Sequence, residues 1–273
     1  MSTLYVIATP IGNLEDITLR ALRLLGLVKL IAAEDTRTTR HLLDAYNIKT
    51  AITSYHEHNK LTKLGYILES LKHGDVALVS EAGMPGLSDT GYELISAAIN
   101  NGIRVEPIPG ASAAITALIA SGLPTDQFLY VGFLPRRKAG RRKLMESIAY
   151  ESRTIVAFES PHRLVDALSD ILDIIGDRRI AICRELTKLH EEIFRGTVAQ
   201  AKAHFSEPRG EFTLVIEGMP HRETEVNDHI LSELKKLYEK GLTAKQAIAL
   251  ISTRSKISRK KLYEAWLRIN KGE

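Results

Sequence analysis

The sequence predicts an α/β protein of two domains followed by a small basic helical tail. Three observations carry that prediction. Short apolar runs alternate with helical patterns in the first half of the chain, and the loops after those runs are rich in Gly, Pro, Ser and Thr. After Gly218-Met-Pro220 the composition turns basic and nearly strandless. Strands separated by helices imply βαβ units and a mainly parallel sheet.

The first domain is expected over residues 1–124. Leu4–Ala8 reads as a buried strand ended by Thr9-Pro-Ile-Gly-Asn13. A helix follows Asp16 through Ile17–Leu25, with Gly26 as its stop. Leu30–Ala33 is a strand, Thr38–Tyr46 a helix, Ala51–Ser54 a short strand and Lys60–Lys72 an amphipathic helix. Asp75–Ser80, helix Asp89–Asn100 and Arg104–Ile108 complete the alternation.

The second domain is expected over 125–219. Phe128–Phe133 and Thr154–Phe158 read as strands, followed by helix Pro161–Ile175, strand Ile180–Cys183 and a terminal hairpin-like strand, Glu211–Glu217. Ser160 is a natural N-cap and Pro161 a natural first helical residue. The tail, 220–273, contains three short helices at Ile230–Glu239, Thr243–Ser252 and Ser258–Ile269. Thr243 and Ser258 are suited to cap the last two, and Gly241 to end the first.

Composition bounds the function classes. The 273 residues are 44% hydrophobic and 26% charged, close to the globular average. One cysteine excludes an intramolecular disulfide framework and any multi-cysteine zinc site, and Cys183 sits in an apolar run that buries it. The N-terminal residues show no signal peptide, and prolines and glycines break the longest chargeless stretch, Pro107–Thr125, so no membrane span and a cytoplasmic chain are expected. Net charge is only +4, but it is unevenly placed. Arg136–Lys143 holds six basic residues and no acid, and Asn227–Glu273 holds eleven basic against five acidic. Concentrated positive charge on an otherwise acidic body suggests nucleic acid.

In a parallel sheet, ligands sit beyond the carboxyl ends of the strands. Three loops there, Thr9–Leu14, Ser80–Gly91 and Pro107–Ala113, combine glycines that allow close backbone approach with prolines that stiffen the chain. Neither the P-loop nor the Rossmann glycine fingerprint is present.

Seven motifs carry a resemblance. They are Thr9-Pro-Ile-Gly-Asn13, Ala33-Glu-Asp-Thr-Arg37, Ser80-Glu-Ala-Gly-Met-Pro85, Pro109-Gly-Ala-Ser112, Gly132-Phe-Leu-Pro135, Glu159-Ser-Pro-His-Arg163 and Arg184-Glu-Leu-Thr-Lys188. In this order they resemble the tetrapyrrole-methylase superfamily over about residues 4–218, and within it the branch that methylates ribosomal RNA. The chain departs from the usual pattern at Glu81-Ala-Gly-Met-Pro85, where the family has Asp-Ala-Gly-Thr-Pro, and at Ser88-Asp-Thr-Gly91, where it has Ser-Asp-Pro-Gly. The resemblance implies an S-adenosylmethionine (SAM) dependent methyltransferase with the cofactor in a cleft between two α/β domains, and a homodimer. It implies as substrate the ribose 2′-hydroxyl of a decoding-site cytidine in 16S rRNA of the small ribosomal subunit. It also marks Pro10, Glu81, Gly83, Met84, Ser112, Ala113, Phe158 and Leu186 as expected cofactor-binding residues.

Glu159, Lys188 and Asp35 are the candidates for proton handling or ribose orientation. Lys188 lies near carboxylates, which could shift its pKa enough for it to act as a base, and it is equally suited to hold a phosphate. Glu34, Asp35 and Arg37 read equally well as a solvated ion-paired group. His56-Glu-His58 reads as a solvated loop, so no metal is expected. Arg136, Arg137, Arg141, Arg142 and Lys143 are expected in a mobile loop on RNA phosphates. Arg259, Lys260 and Lys261, with Arg268, are expected on RNA from a helix-turn-helix-like tail, above an apolar stripe of Leu262, Trp266 and Ile269. Two other readings stay open here: a tetrapyrrole carbon methyltransferase, and a non-catalytic RNA-binding or ribosome-assembly factor.

Overall fold

The computed structural model describes residues 2–219, 226–252, 255, 257 and 259–271. The chain divides into two compact units, Met1–Met219 and Pro220–Glu273. The first unit opens with β1 (Thr3–Ile7), α1 (Leu19–Leu27), β2 (Leu30–Ala33), α2 (Thr36–Ala45), β3 (Ile52–Ser54), α3 (Lys60–Leu71), β4 (Val76–Val79), α4 (Tyr92–Asn100) and β5 (Arg104–Ile108). The five strands form one parallel sheet in the order β3-β2-β4-β1-β5. Every residue of β2 and β4 is buried, as a parallel sheet covered on both faces requires. Alternation divides the core. Ile7, Ile31 and Val79 meet α1 and α2 on one face, while Leu4, Leu30 and Leu78 meet α3 and α4 on the other.

Helix boundaries differ from expectation where side-chain caps decide them. Thr18 caps α1 by accepting from the Ala21 N–H, and the helix runs through Gly26. A Cβ at Gly26 would touch nothing, so this glycine sits on an open face and weakens the helix without ending it. Asp35 caps α2 and starts it two residues early.

Helix α5 (Ala113–Ser121) is not visible in the apolar periodicity, because Ala-Ala-Ile-Thr-Ala-Leu-Ile-Ala has no polar face. It precedes residue 124 yet lies on the second sheet, where Ala114, Ala117 and Leu118 meet Val156, Ala181, Cys183 and Val215. Cys183 is buried as expected.

That second sheet is built from β6 (Phe128–Phe133), α6 (Lys138–Ser147), β7 (Thr154–Glu159), α7 (Pro161–Ile174), β8 (Arg179–Arg184), β9 (Glu192–Thr197), α8 (Val198–His204) and β10 (Phe212–Ile216). Its order is β6-β7-β10-β8-β9, and only β6 and β7 run parallel. The last strand is therefore no terminal hairpin arm. It inserts between β7 and β8, with Phe212, Leu214 and Ile216 in the core on one face and Val215 on the other. Strand β9 and helix α8 were not anticipated. Half-exposed β9 lacks a continuous apolar run, and α8 is announced only by a Thr197–Gln200 capping box.

The expected mobile basic loop is instead largely helical. Arg141 and Met145, four apart in α6, are both buried against α7. Gly140 lies within the helix.

The second unit contains α9 (Asp228–Glu239), α10 (Ala244–Ser252) and α11 (Arg259–Lys271) around its own core of Leu234, Ile248, Ile251, Leu262 and Trp266, with Ile269 packed against it. Asn227 caps α9, and Thr243 exchanges hydrogen bonds with Gln246 at the start of α10. Gly241 takes the left-handed conformation (φ +79°) after α9. Ser258, expected as a cap, and Pro220, expected at the boundary, lie outside the described residues. Among the described residues no helix is long and apolar enough to cross a membrane.

Candidate active site

The loops at the carboxyl ends of β1, β2, β4 and β5 face β7, β8 and β10 across a cleft of about 650 Å³. Backbone pairing gives its wall rigidity. Thr9 and Gly83 exchange two hydrogen bonds, N–H to O at 2.9 and 3.1 Å, which ties the loop after β1 to the loop after β4. Gly83 has φ +79°, a conformation that L side chains rarely adopt. The loop after β1 also reaches the second sheet, where the Asn13 N–H donates to Thr187 Oγ1 at 3.1 Å.

Pro10, Glu81, Gly83, Met84, Ser112, Ala113, Phe158 and Leu186 all line this one cleft, as do Glu159 and Lys188. Asp35 does not, and its carboxylate is otherwise engaged. It accepts from the Arg37 and Thr38 N–H groups and pairs with the Arg37 guanidinium at 2.9 Å. Those bonds hold its pKa down at about 2, which weighs against Asp35 as a proton acceptor, and the side chain caps α2. Its neighbour Glu34 lines the cleft instead.

Glu159 is buried at the end of β7, with its side chain 0% exposed. Its Oε1 accepts from the Ser160 N–H at 2.7 Å and pairs with Arg163 at 2.6 Å, while Oε2 has no partner. Burial pushes its pKa up against the opposing pull of the Ser160 N–H and Arg163. Ser160 stands at the cap position, but its Oγ accepts from Arg163 Nε rather than from the helix backbone.

Lys188 is the opposite case. Burial alone would lower its pKa, but hydrogen bonds to Glu211 Oε2 (2.9 Å) and Glu185 Oε1 (3.0 Å) outweigh that and raise it. Two carboxylates therefore favour the charged ammonium, which weighs against Lys188 as a base and leaves it suited to hold a phosphate or orient the ribose. Glu185 and Thr187 beside it have φ +49° and +66°, so backbone strain is concentrated in this loop.

One residue that the sequence reading passed over belongs here. Asp89 lines the cleft, half-buried. Burial, then Glu34 and Glu81, push its pKa up to about 7. Glu81 is itself raised by desolvation and by Asp35, Glu34 and Glu211. The signal was present in the Ser88-Asp-Thr-Gly91 departure, but its electrostatic setting comes from residues distant in sequence.

The basic candidates separate. Arg141 is 3% exposed and donates from Nε to Asp170 Oδ2 at 2.7 Å, so it is withdrawn as a phosphate contact: its charge is spent inside the protein. Arg142 is paired with Asp170 and Asp173 at 3.1 and 3.3 Å. Arg136, Arg137 and Lys143 are exposed. In the tail, Arg259 and Lys260 are exposed and Lys261 is half-buried. Among the described residues, no group of three or more His, Cys, Asp or Glu side chains is placed to hold a metal.

The cleft fits the SAM implied by the resemblance. Glu34, Glu81 and Asp89 form a negative wall suited to a ligand carrying sulfonium and ammonium charge. The N-terminus of α5, lined by Ser112 and Ala113 and lacking a side-chain cap, would receive a carboxylate. Phe133 and Phe158 meet edge to face at 5.4 Å and offer an apolar surface to a flat ring.

Residues 3–202 match the family described as Tetrapyrrole (Corrin/Porphyrin) Methylases. The chain is 47% identical to Ribosomal RNA small subunit methyltransferase I of Halalkalibacterium halodurans, over 97% of this chain and 94% of that protein. It is 51% identical to the protein of the same name from Thermotoga maritima, over 80% of this chain and 99% of that protein. Among solved structures it resembles uroporphyrin-III-C-methyltransferase from Thermus thermophilus, with a TM-score of 0.59 at 18% identity, over 89% of this chain and all of that one. That likeness concerns the fold alone. With the motifs gathered round one cleft and the match running through both sheets, the chain belongs to the tetrapyrrole methylase family, in the branch of the ribosomal RNA small subunit methyltransferase I proteins.

Proposed function

We propose that the chain transfers a methyl group from SAM to the ribose 2′-hydroxyl of a decoding-site cytidine in 16S rRNA of the small ribosomal subunit, acting in the cytoplasm as a homodimer. The observation that carries this reading is 47% identity over nearly the whole chain to a protein named Ribosomal RNA small subunit methyltransferase I, combined with a cleft whose walls suit a cationic methyl donor. SAM supplies an electrophilic methyl carbon. The protein's part is to align donor and acceptor, exclude water and handle the hydroxyl proton.

Arg136, Arg137 and Lys143 offer phosphate contacts from α6 and the segment before it, and Arg259, Lys260 and Lys261 offer them from α11. The Thermotoga maritima relative aligns over 221 residues, close to the 219 of the first compact unit. This supports placing the chemistry in the first unit; the assignment of RNA positioning to the tail rests on its exposed basic residues alone.

Incubating the protein with methyl-labelled SAM and 16S rRNA, as free RNA and as assembled subunit, tests the reading directly. A 2′-O-methyl group on a decoding-site cytidine is expected. Transfer to a tetrapyrrole carbon instead, or SAM uptake with no transfer, would replace it with one of the alternatives. Sedimentation of the purified protein tests the dimer.

A further inference from the structure

The geometry points to Asp89 as the group that takes the proton from the attacking ribose hydroxyl, an assignment that rests on the proposed 2′-O-methylation. Four observations converge on it. Asp89 lines the cleft, and no hydrogen bond or ion pair engages its carboxylate among the described residues. The charged groups acting on it from the loops after β2 and β4 are Glu34 and Glu81, both acidic, and the nearby titratable group on β6 is the neutral phenol of Tyr130, which feels its charge. The turn that presents it is strained, with Ser88 at φ +66°. That turn is clamped from the second sheet, where Ser88 Oγ and Tyr130 OH share a 2.6 Å hydrogen bond. Gly132 leaves room for this clamp, since a Cβ there would come within 2.9 Å of Ser88 Oγ.

A half-buried carboxylate among like charges, without a cation, is destabilising unless a ligand compensates it. A cationic methyl donor does so. Its arrival neutralises the wall and keeps Asp89 ionised, which readies the carboxylate as a base. In the transfer, a lone pair of the 2′-oxygen forms the new bond to the methyl carbon and the carbon–sulfur bond breaks with its electron pair left on sulfur. The hydroxyl proton passes to Asp89 and is then released to water. Sulfonium and carboxylate charges disappear together, so the step is balanced. The other candidates are less suited: Glu159 has one oxygen committed to Arg163, and Lys188 is held protonated.

Asp89→Asn and Asp89→Glu test this in the full-length protein. A positioned general base contributes roughly 10²–10⁴-fold. Single-turnover transfer by Asp89→Asn should therefore fall by about 100-fold or more, with partial recovery in Asp89→Glu, while SAM affinity by calorimetry changes less than about tenfold. Two readouts are independent of activity. The Asp89 carboxyl carbon should titrate near pH 7 by NMR in the free protein, and SAM binding just below that pH should release a proton that Asp89→Asn does not release. Wild-type transfer to RNA with an Asp89→Asn rate and pH profile equal to wild type would overturn the Asp89 role alone. Loss of SAM binding in both variants would reassign Asp89 to holding the donor and overturn it too. No transfer to RNA by the wild type would remove the underlying reading, and the role with it.

Discussion

Gly12, in the loop after β1, lies directly against Lys188, in the loop after β8: a Cβ at Gly12 would come to 2.5 Å from Lys188 Cγ, 2.8 Å from Thr187 Oγ1 and 2.9 Å from the Leu186 carbonyl oxygen. The lysine stem can move, but the carbonyl belongs to a strained segment that cannot easily shift. The two halves of the cleft therefore meet at a position that only glycine fills.

Gly12→Val should consequently loosen the cleft. Overpacking of this kind costs about 1–3 kcal/mol, and SAM affinity should fall at least tenfold because Pro10 and Leu186 line the same wall. Thermal denaturation and calorimetry measure the two effects. A variant with wild-type melting and SAM affinity would show that the contact is dispensable.

The basic residues around α6 should divide by burial. Arg141→Ala leaves the Asp170 carboxylate buried, with Arg142 as its remaining partner, and should destabilise the protein by about 3–5 kcal/mol. Replacing Arg136, Arg137 and Lys143 with Ala should leave the melting temperature nearly unchanged. Each lost phosphate contact should lower the log–log salt slope of RNA binding by roughly 0.7–0.9. An unchanged slope in the triple variant would make these residues an ordinary solvated face.

Acid and base titrations should separate Asp35 from Lys188. Asp35 has a depressed pKa, so the stability it adds is present above the unfolded value of about 3.9 and is lost as pH falls towards about 2. Asp35→Ala, which also removes the α2 cap, should cost about 1 kcal/mol at neutral pH and less at pH 2. Lys188 has a raised pKa, so its contribution is fully present below the unfolded value of about 10.4 and is lost only as pH rises above that. Lys188→Met should therefore lower activity without shifting the pH–rate profile between pH 6 and 9. Loss of a basic limb in that window would restore Lys188 as a titrating catalyst.

A chain ending at Met219 should fold and bind SAM, because the first compact unit contains both sheets and the whole cleft. It should methylate ribosomal RNA poorly, since Arg259, Lys260 and Lys261 are gone. Full activity on the native substrate would defeat the positioning role of the tail, and an insoluble product would show it to be a structural cap.

Every strand but β9, and the loops that follow the first sheet's strands, were legible in the sequence. Leu30–Ala33 coincides with β2 because a short apolar run between turn residues fits a strand buried on both faces, and Arg104–Ile108 coincides with β5, a half-exposed edge strand that tolerates Arg104 and Glu106. The loop motifs were legible for the same local reason, since glycines and prolines mark turns wherever they occur. What depends on a distant partner was settled by packing in space. Helix α5 has no polar face to announce it and is placed by the second sheet. Arg141 reads as a solvated charge until Asp170, 29 residues away, buries it. Asp89 looks like an ordinary turn aspartate until folding buries it beside Glu34 and Glu81, and desolvation, then like charge, raises its pKa. Periodicity is a property of neighbours along the chain, whereas desolvation and Coulomb interaction are properties of neighbours in space.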